Sequence, residues 1–120
     1  MEPIASFKAA RSLAPKLDAW PDFATILSGQ PNQAGHFATN SPGELVTGIW
    51  ECACGKFVVD PFFADVNEFA YLLEGKLRIS SDKGDTATYS AGDCIVTPMG
   101  FKGTWEVLEP IRKVFAIRKR

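Results

Sequence analysis

The chain has 120 residues, a length that predicts one domain, and 46% of them are apolar, with three tryptophans and nine phenylalanines. This composition is sufficient for a hydrophobic core without disulfides. The net charge of −1 and the scattered charges argue against a nucleic-acid-binding protein, and no apolar run approaches the roughly 18 residues of a membrane span.

The termini and the cysteines indicate the compartment. Residues 1–4 lack the basic and apolar regions of a signal peptide. Three cysteines, an odd number, do not indicate a secreted disulfide framework. We interpret the basic residues 118–120 as a solvated terminus rather than a phosphate-binding arm. We therefore expect a cytoplasmic protein that binds neither nucleic acid nor a membrane.

Residues 1–44 are rich in prolines and glycines, which favour loops and short extended pieces. Between Arg11 and Ala19 one helical turn is possible, although Pro15 limits it. From Leu45 onwards the chain changes to short apolar and β-branched runs. We expect residues 1–44 to be a turn-rich extended segment that packs on a barrel formed by residues 45–120, in a single domain overall.

Short strands separated by turn residues are predicted throughout the rest of the chain. Asp82-Lys83-Gly84-Asp85 is a typical hairpin turn. Many short strands at regular spacing are typical of an all-β sandwich or barrel. The predicted strands are Leu45–Cys52, Lys56–Asp60, Glu68–Leu73, Lys76–Ser80, Thr86–Tyr89, Asp93–Thr97, Lys102–Leu108 and Ile111–Ile117.

Glycines, a glutamate and a proline recur at fixed spacings in this region. The first set is Gly55, Glu68 and Gly75, and the second is Gly92, Pro98 and Gly100. This spacing resembles the two-part signature of the cupin superfamily. In that signature two histidines follow the first glycine and a third follows the Pro-X-Gly. Here the three histidine positions hold Pro61, Phe63 and Gly103.

A tighter resemblance includes Gly48-Ile49-Trp50-Glu51-Cys52 and Gly103-Thr104-Trp105-Glu106-Val107. These segments resemble the small cupins related to (S)-ureidoglycine aminohydrolase, with Ala53-Cys54 in place of the usual Thr-Pro. The resemblance implies an all-β fold, a double-stranded β-helix or jelly-roll barrel of two antiparallel sheets. It also implies a ligand cavity between the sheets and, in many members, a homodimer.

Glu68 is the candidate catalytic residue. The resemblance implies that it points into the barrel, because the matching glutamate of metal cupins does so. Its neighbours, residues 69–73, are apolar or aromatic. An apolar surrounding favours the protonated form of a carboxyl group unless a cation compensates, which is how general acids and bases are poised near neutral pH. The alternative is a structural glutamate, hydrogen-bonded in the barrel or paired with Arg or Lys.

Four aromatic residues are candidate ligand-binding residues. Alternate positions share one face of a strand, and position 103 faces the cavity in metal cupins, so we expect Trp105 to point inward. We expect Phe63 near it, Phe101 at the mouth, and Trp50 facing the same cavity. Aromatic walls with one carboxylate are typical of a small-molecule pocket. The equally weighted alternative is that the rings simply fill the barrel.

Lys113 is a further candidate ligand-binding residue. It alternates with Phe115 and Ile117 on the last predicted strand. We expect it either to extend from an apolar face or to pair with Glu106 or Glu109 across the sheet.

No metal cofactor is predicted, because the residues at the cupin histidine positions do not replace those ligands. The related aminohydrolase binds manganese through carboxylate, imidazole and amide ligands, a set that this chain does not reproduce. His36, the only histidine, is expected at the surface or at a strand edge. The three cysteines are Cys52, Cys54 and Cys94. We expect them to pack as small hydrophobic residues rather than to bind zinc or act as reactive thiols.

Taken together, the sequence favours a small-molecule-binding cupin. One hypothesis is an enzyme that acts on a small polar metabolite, ureide-like by resemblance, with Glu68 as acid or base. The alternative is a non-catalytic metabolite-binding or sensory protein that has lost the metal site. A third interpretation is a structural homodimer with a filled barrel.

Overall fold

The computed structural model describes residues 4–12, 25–39 and 44–119 of the chain. Residues 13–19 of the helical turn predicted between Arg11 and Ala19 lie outside the described residues. A short 3-10 turn, Phe62–Ala64, is the one helical element of the described part. The strands are β1 Thr25–Gly29, β2 Gln33–Thr39, β3 Leu45–Cys52, β4 Gly55–Val59, β5 Val66–Ser81, β6 Thr86–Ser90, β7 Cys94–Thr97 and β8 Gly103–Lys119.

Every strand pairing in the described residues is antiparallel, and two long strands, β5 and β8, connect the whole structure. The first half of β8 and the second half of β5 lie between β4 and β6, with β1 beside β4. The second half of β8 and the first half of β5 lie between β3 and β7, with β2 beside β3. The predicted all-β jelly-roll barrel of two antiparallel sheets is therefore confirmed.

Both long strands change sheet at one point, where Gly75 of β5 meets Pro110 of β8. Gly75 has a φ of 90°, and a Cβ added to it would lie 2.2 Å from the Pro110 carbonyl oxygen. The β5–β8 register shifts between Leu72 and Leu77, and proline cannot donate to the ladder. The sequence pattern predicts strand ends here, at Leu73 and Leu108. That prediction is wrong, because the two strands bend together and continue pairing.

The core lies between the two sheets and contains the inward side chains of alternate strand positions. On β8, for example, positions 105 and 107 face inward before the bend and positions 111, 115 and 117 after it. The buried hydrophobic cluster consists of Trp50, Cys52, Phe57, Val59, Phe63, Val66, Ala70, Leu72, Leu77, Ile95, Trp105, Val107, Ile111, Phe115 and Ile117.

Phe7 and Ala10, in the described residues 4–12, lie against the outer face of the second sheet. The Ala10 carbonyl oxygen accepts a hydrogen bond of 2.9 Å from Arg112 Nη1, and the Phe7 ring lies 6.0 Å from that of His36. His36 is half-buried on β2, which is the outermost strand on that side of the second sheet. This position agrees with the expectation of a strand-edge histidine.

Candidate functional site

A buried ion pair lies between the sheets. Lys113 Nζ donates to Glu68 Oε1 at 2.8 Å, and both side chains are only 4% exposed. Glu68 on β5 is opposite Ile117 of β8. Lys113 lies four residues before Ile117 on β8 and therefore on the same, inner face, which it shares with Glu68. Of the two alternatives for Lys113, the pairing with Glu106 or Glu109 is wrong, because Lys113 points inward to Glu68 whereas Glu106 pairs with the exposed Arg78.

The Lys113 ammonium group is also covered by indole rings from both sheets. Trp50 is opposite Lys113 on the neighbouring strand β3, and Nζ lies 4.7 Å from the Trp50 ring centre. Trp105, in the first sheet, has its ring centre 4.5 Å from the same nitrogen. A desolvated ammonium over an indole face gains about 2 kcal/mol. One carboxylate and two indole faces therefore hold this cation in the barrel.

The two indoles differ in their hydrogen bonding. Trp50 Nε1 donates to Gln33 Oε1 at 2.9 Å. Trp105 Nε1 is buried and has no acceptor among the residues that the structure describes. Buried N–H groups nearly always have a partner, so an oxygen acceptor from outside the described chain fits at Trp105. Sequence reasoning missed Gln33, because only the pairing of β2 with β3 brings it beside Trp50.

Phe63 and Phe101 complete the aromatic cluster. The 3-10 turn carries Phe63 inward, where it is 1% exposed. The Phe63 ring lies 5.9 Å from that of Trp105 and 6.0 Å from that of the half-buried Phe101. All six residues that the sequence nominated for the site thus lie in one connected cluster, which we call the barrel site: Glu68, Trp50, Phe63, Phe101, Trp105 and Lys113.

The residues of the barrel site do not fit a metal ion. Glu68, the one carboxylate, is engaged by a lysine ammonium. At Gly103, one of the cupin histidine positions, an added Cβ would lie 2.0 Å from the Ser80 carbonyl oxygen and 2.9 Å from the Phe101 ring. Among the described residues no three His, Cys, Asp or Glu side chains come together. A cation does face Glu68, but the protein supplies it covalently as Lys113.

The cysteines divide into two groups. Cys52 is buried at the end of β3. Desolvation raises the pKa of its thiol to about 12; the Lys113 charge acts to lower this pKa and Cys54 acts to raise it, each by less than desolvation does. A thiol in this state is unreactive, which agrees with the expected packing role. For Cys54 and Cys94 that expectation is wrong, because both are exposed on the surface.

Comparison with known proteins identifies the family and the fold. The family model for the EutQ-like cupin domain matches residues 40–115. A DUF861 family protein from Thermotoga maritima is 36% identical, with a TM-score of 0.52 over 56% of this chain and 73% of that one. The Clostridium difficile EutQ protein is 22% identical, with a TM-score of 0.64 over 75% of this chain.

Another DUF861 protein of unknown function, from Pseudomonas syringae, has a TM-score of 0.78 over 89% of this chain at 21% identity. This chain spans 64% of the Clostridium protein's length and 45% of the Pseudomonas protein's. No curated protein matches.

Within the described residues there is no helix with the length and apolar character needed to cross a membrane.

Proposed function

This chain belongs to the EutQ-like cupin domain family, and we propose that it binds a small polar molecule between its two sheets, at the barrel site. The observation that carries this proposal is the buried Glu68–Lys113 pair beside Trp105, whose Nε1 lacks an acceptor among the described residues. The aromatic rings would provide apolar contact and the three polar groups would orient the ligand.

The energetics of the pair favour a functional role. Removing two charges from water costs several kcal/mol per ion, and well-packed apolar residues in place of a buried pair are often neutral or stabilising by about 1–4 kcal/mol. The barrel already has a large apolar core, so it has little need of Glu68 and Lys113 for stability. A charged pair kept in such a core is better explained by a ligand that uses it.

At a finer level we propose an enzyme that acts on a small polar metabolite, ureide-like by resemblance, with Glu68 as acid or base. Lys113 is within hydrogen-bond distance of Glu68. It would keep the carboxylate oriented and supply the compensating cation that an ionised general base needs in an apolar site.

The second candidate function is non-catalytic binding of a metabolite. The observation that favours it is the loss of the usual cupin ligand positions, since Gly103 has no room for a side chain and Phe63 is apolar. Binding would then use the same residues, and the two functions differ only in whether the ligand is turned over.

The test is a screen of small polar metabolites, ureides included, for saturable binding and for turnover. Glu68→Gln should abolish turnover and weaken binding, because it removes the charge and the proton-accepting oxygen. The matched control is Glu106→Gln, which removes a partly exposed carboxylate that pairs with Arg78 and should change neither. Turnover that survives Glu68→Gln would rule out its acid–base role, and saturable binding without any turnover would support the non-catalytic function.

The compartment, the oligomeric state and the class of ligand stay predictions. We propose that the protein acts in the cytoplasm as a homodimer, with a small molecule as its ligand. Nucleic acid and membranes are not proposed as partners, consistent with the net charge of −1.

A further inference from the structure

The charges inside the barrel are balanced before any ligand arrives. The buried charged residues in the described part of the chain are Glu68, Lys113 and Arg112. Arg112 lies on the outer face of β8, where it pairs with Glu51 and donates a hydrogen bond to the Ala10 carbonyl oxygen. The interior therefore contains one carboxylate and one ammonium, in contact at 2.8 Å, and has no net charge.

This balance opposes a charged ligand. A carboxylate placed beside the pair would leave one negative charge uncompensated in a low-dielectric interior, and an alkylammonium would leave one positive charge. The indole faces that could attract a cationic ligand are already in contact with the Lys113 ammonium. A neutral molecule is the charge class that leaves the Glu68–Lys113 pair intact.

The hydrogen-bonding inventory adds the second feature of the ligand. Trp105 Nε1 is a donor only, and it is the one buried side-chain polar atom in the described residues without a partner. It needs an oxygen acceptor. The rings of Trp50, Phe63 and Trp105 around it favour a compact, partly apolar molecule.

We infer that the barrel site takes a neutral small molecule whose carbonyl-type oxygen accepts a hydrogen bond from Trp105 Nε1, and that it discriminates against carboxylates and alkylammonium ions. This inference rests on the proposed small-molecule function and specifies its ligand class. Lys113 and Glu68 act as selectivity residues. Glu68 repels carboxylates and Lys113 repels alkylammonium ions. Because the two residues already neutralise each other, neither needs a charged ligand as a partner.

The test uses three probes of one size, propionamide, propionate and propylammonium, which at pH 7 are neutral, negative and positive. The readout is the indole N–H resonances of the tryptophans in a ¹H–¹⁵N spectrum, assigned with Trp50→Phe and Trp105→Phe variants. Propionamide should shift the Trp105 resonance saturably, with an affinity at least about tenfold above that of either charged probe. Propionate or propylammonium binding as tightly as propionamide would overturn the inference but leave the proposed function standing. If none of the three probes shifts Trp105, the inference is overturned, and the metabolite screen decides the proposed function separately.

Two charge variants supply a second, independent arm. Glu68→Gln leaves the Lys113 cation alone, so the preference should change from propionamide to propionate. Lys113→Met leaves the Glu68 anion alone, so the preference should change to propylammonium. The double variant is neutral again and should keep the preference for propionamide, which controls for the lost packing. The inference is wrong if Glu68→Gln and Lys113→Met prefer the same probe, and the comparison of the three probes on the unmodified protein tests it without any charge variant.

Discussion

Lys113 is the residue on which the barrel site depends. Its ammonium joins a carboxylate of one strand to indole faces from both sheets, so a single side chain connects three of its neighbours. In metal-binding members of such folds a bound ion faces the glutamate. Here the cation is part of the chain, and it cannot be removed by a chelator. The electrostatics of the site therefore depend on the Glu68–Lys113 ion pair and on the two indole rings packed against it.

Truncating Lys113 tests how strongly Glu68 needs this cation. Lys113→Met should lower the free energy of unfolding by about 3–5 kcal/mol, because it leaves the Glu68 charge buried and uncompensated. The measurement is a urea unfolding curve. Arg78→Met, which breaks an exposed pair, is the control and should cost less than about 1 kcal/mol. Glu68→Leu combined with Lys113→Met should recover most of the loss, and an unrecovered loss would contradict an electrostatic cause.

The buried thiol of Cys52 predicts a pH effect. Its pKa is raised from 9.0 to about 12, chiefly by desolvation, so the folded protein retains a proton that the unfolded chain loses above pH 9. Its contribution to stability is fully present below pH 9 and is lost as the pH rises towards 12. Unfolding curves at rising pH should show a decline that Cys52→Ala reduces and Cys54→Ala does not. Equal declines in the two variants would contradict this assignment.

At the scale of elements, the joint bend of β5 and β8 creates the barrel. Gly75 and Pro110 meet where both strands leave one sheet and enter the other. Trp105 lies on β8 before the bend, and Trp50 pairs with the part of β8 after the bend. The bend brings the two indoles together, with their ring centres 6.1 Å apart. Without the bend the two indoles would be on one extended sheet and would not enclose Lys113.

Gly75→Ala tests the bend against a matched glycine. Gly75 and Gly84 have similar φ values of 90° and 96°, but an added Cβ meets the Pro110 oxygen at 2.2 Å in the first case and nothing within 4 Å in the second. Gly84→Ala should therefore cost only the backbone strain, about 1–2 kcal/mol. Gly75→Ala should cost distinctly more in thermal or urea unfolding, because β8 must also move. Equal costs would show that the close approach is unimportant.

At the scale of the whole molecule, the barrel combines a large apolar core with one neutral polar centre. Aromatic rings from both sheets and from the 3-10 turn surround that centre. Phe7 and Ala10 lie on the outer face, against His36 and Arg112 and away from the barrel site. The contacts on the outside of the second sheet and those of the barrel site are therefore made by different side chains.

The sequence by itself determined the features that depend on local pattern. Alternating apolar residues predicted most strands, with Leu45–Cys52 matching β3 at both ends. The hairpin at residues 82–85 has its glycine at a φ of 96°, as such a turn requires. The spacing of Gly55, Glu68 and Pro98 indicated the fold, because turns and inward positions recur at fixed distances along a jelly roll. The same spacing nominated the six residues that meet in the barrel site.

The tertiary structure alone decided which of these residues are partners. Lys113 could be assigned to several acids from the sequence, and only the β5–β8 register and the inward face select Glu68. Trp105 Nε1 lacks an acceptor because of the groups that the fold packs around it. Trp50 Nε1 has Gln33 as its acceptor because β2 pairs with β3. Strand continuity through Gly75 was likewise undecided locally, since a glycine at positive φ suits a turn and a bend equally. Pairing between strands that are distant in the chain resolves each of these ambiguities, and such pairing leaves no local pattern.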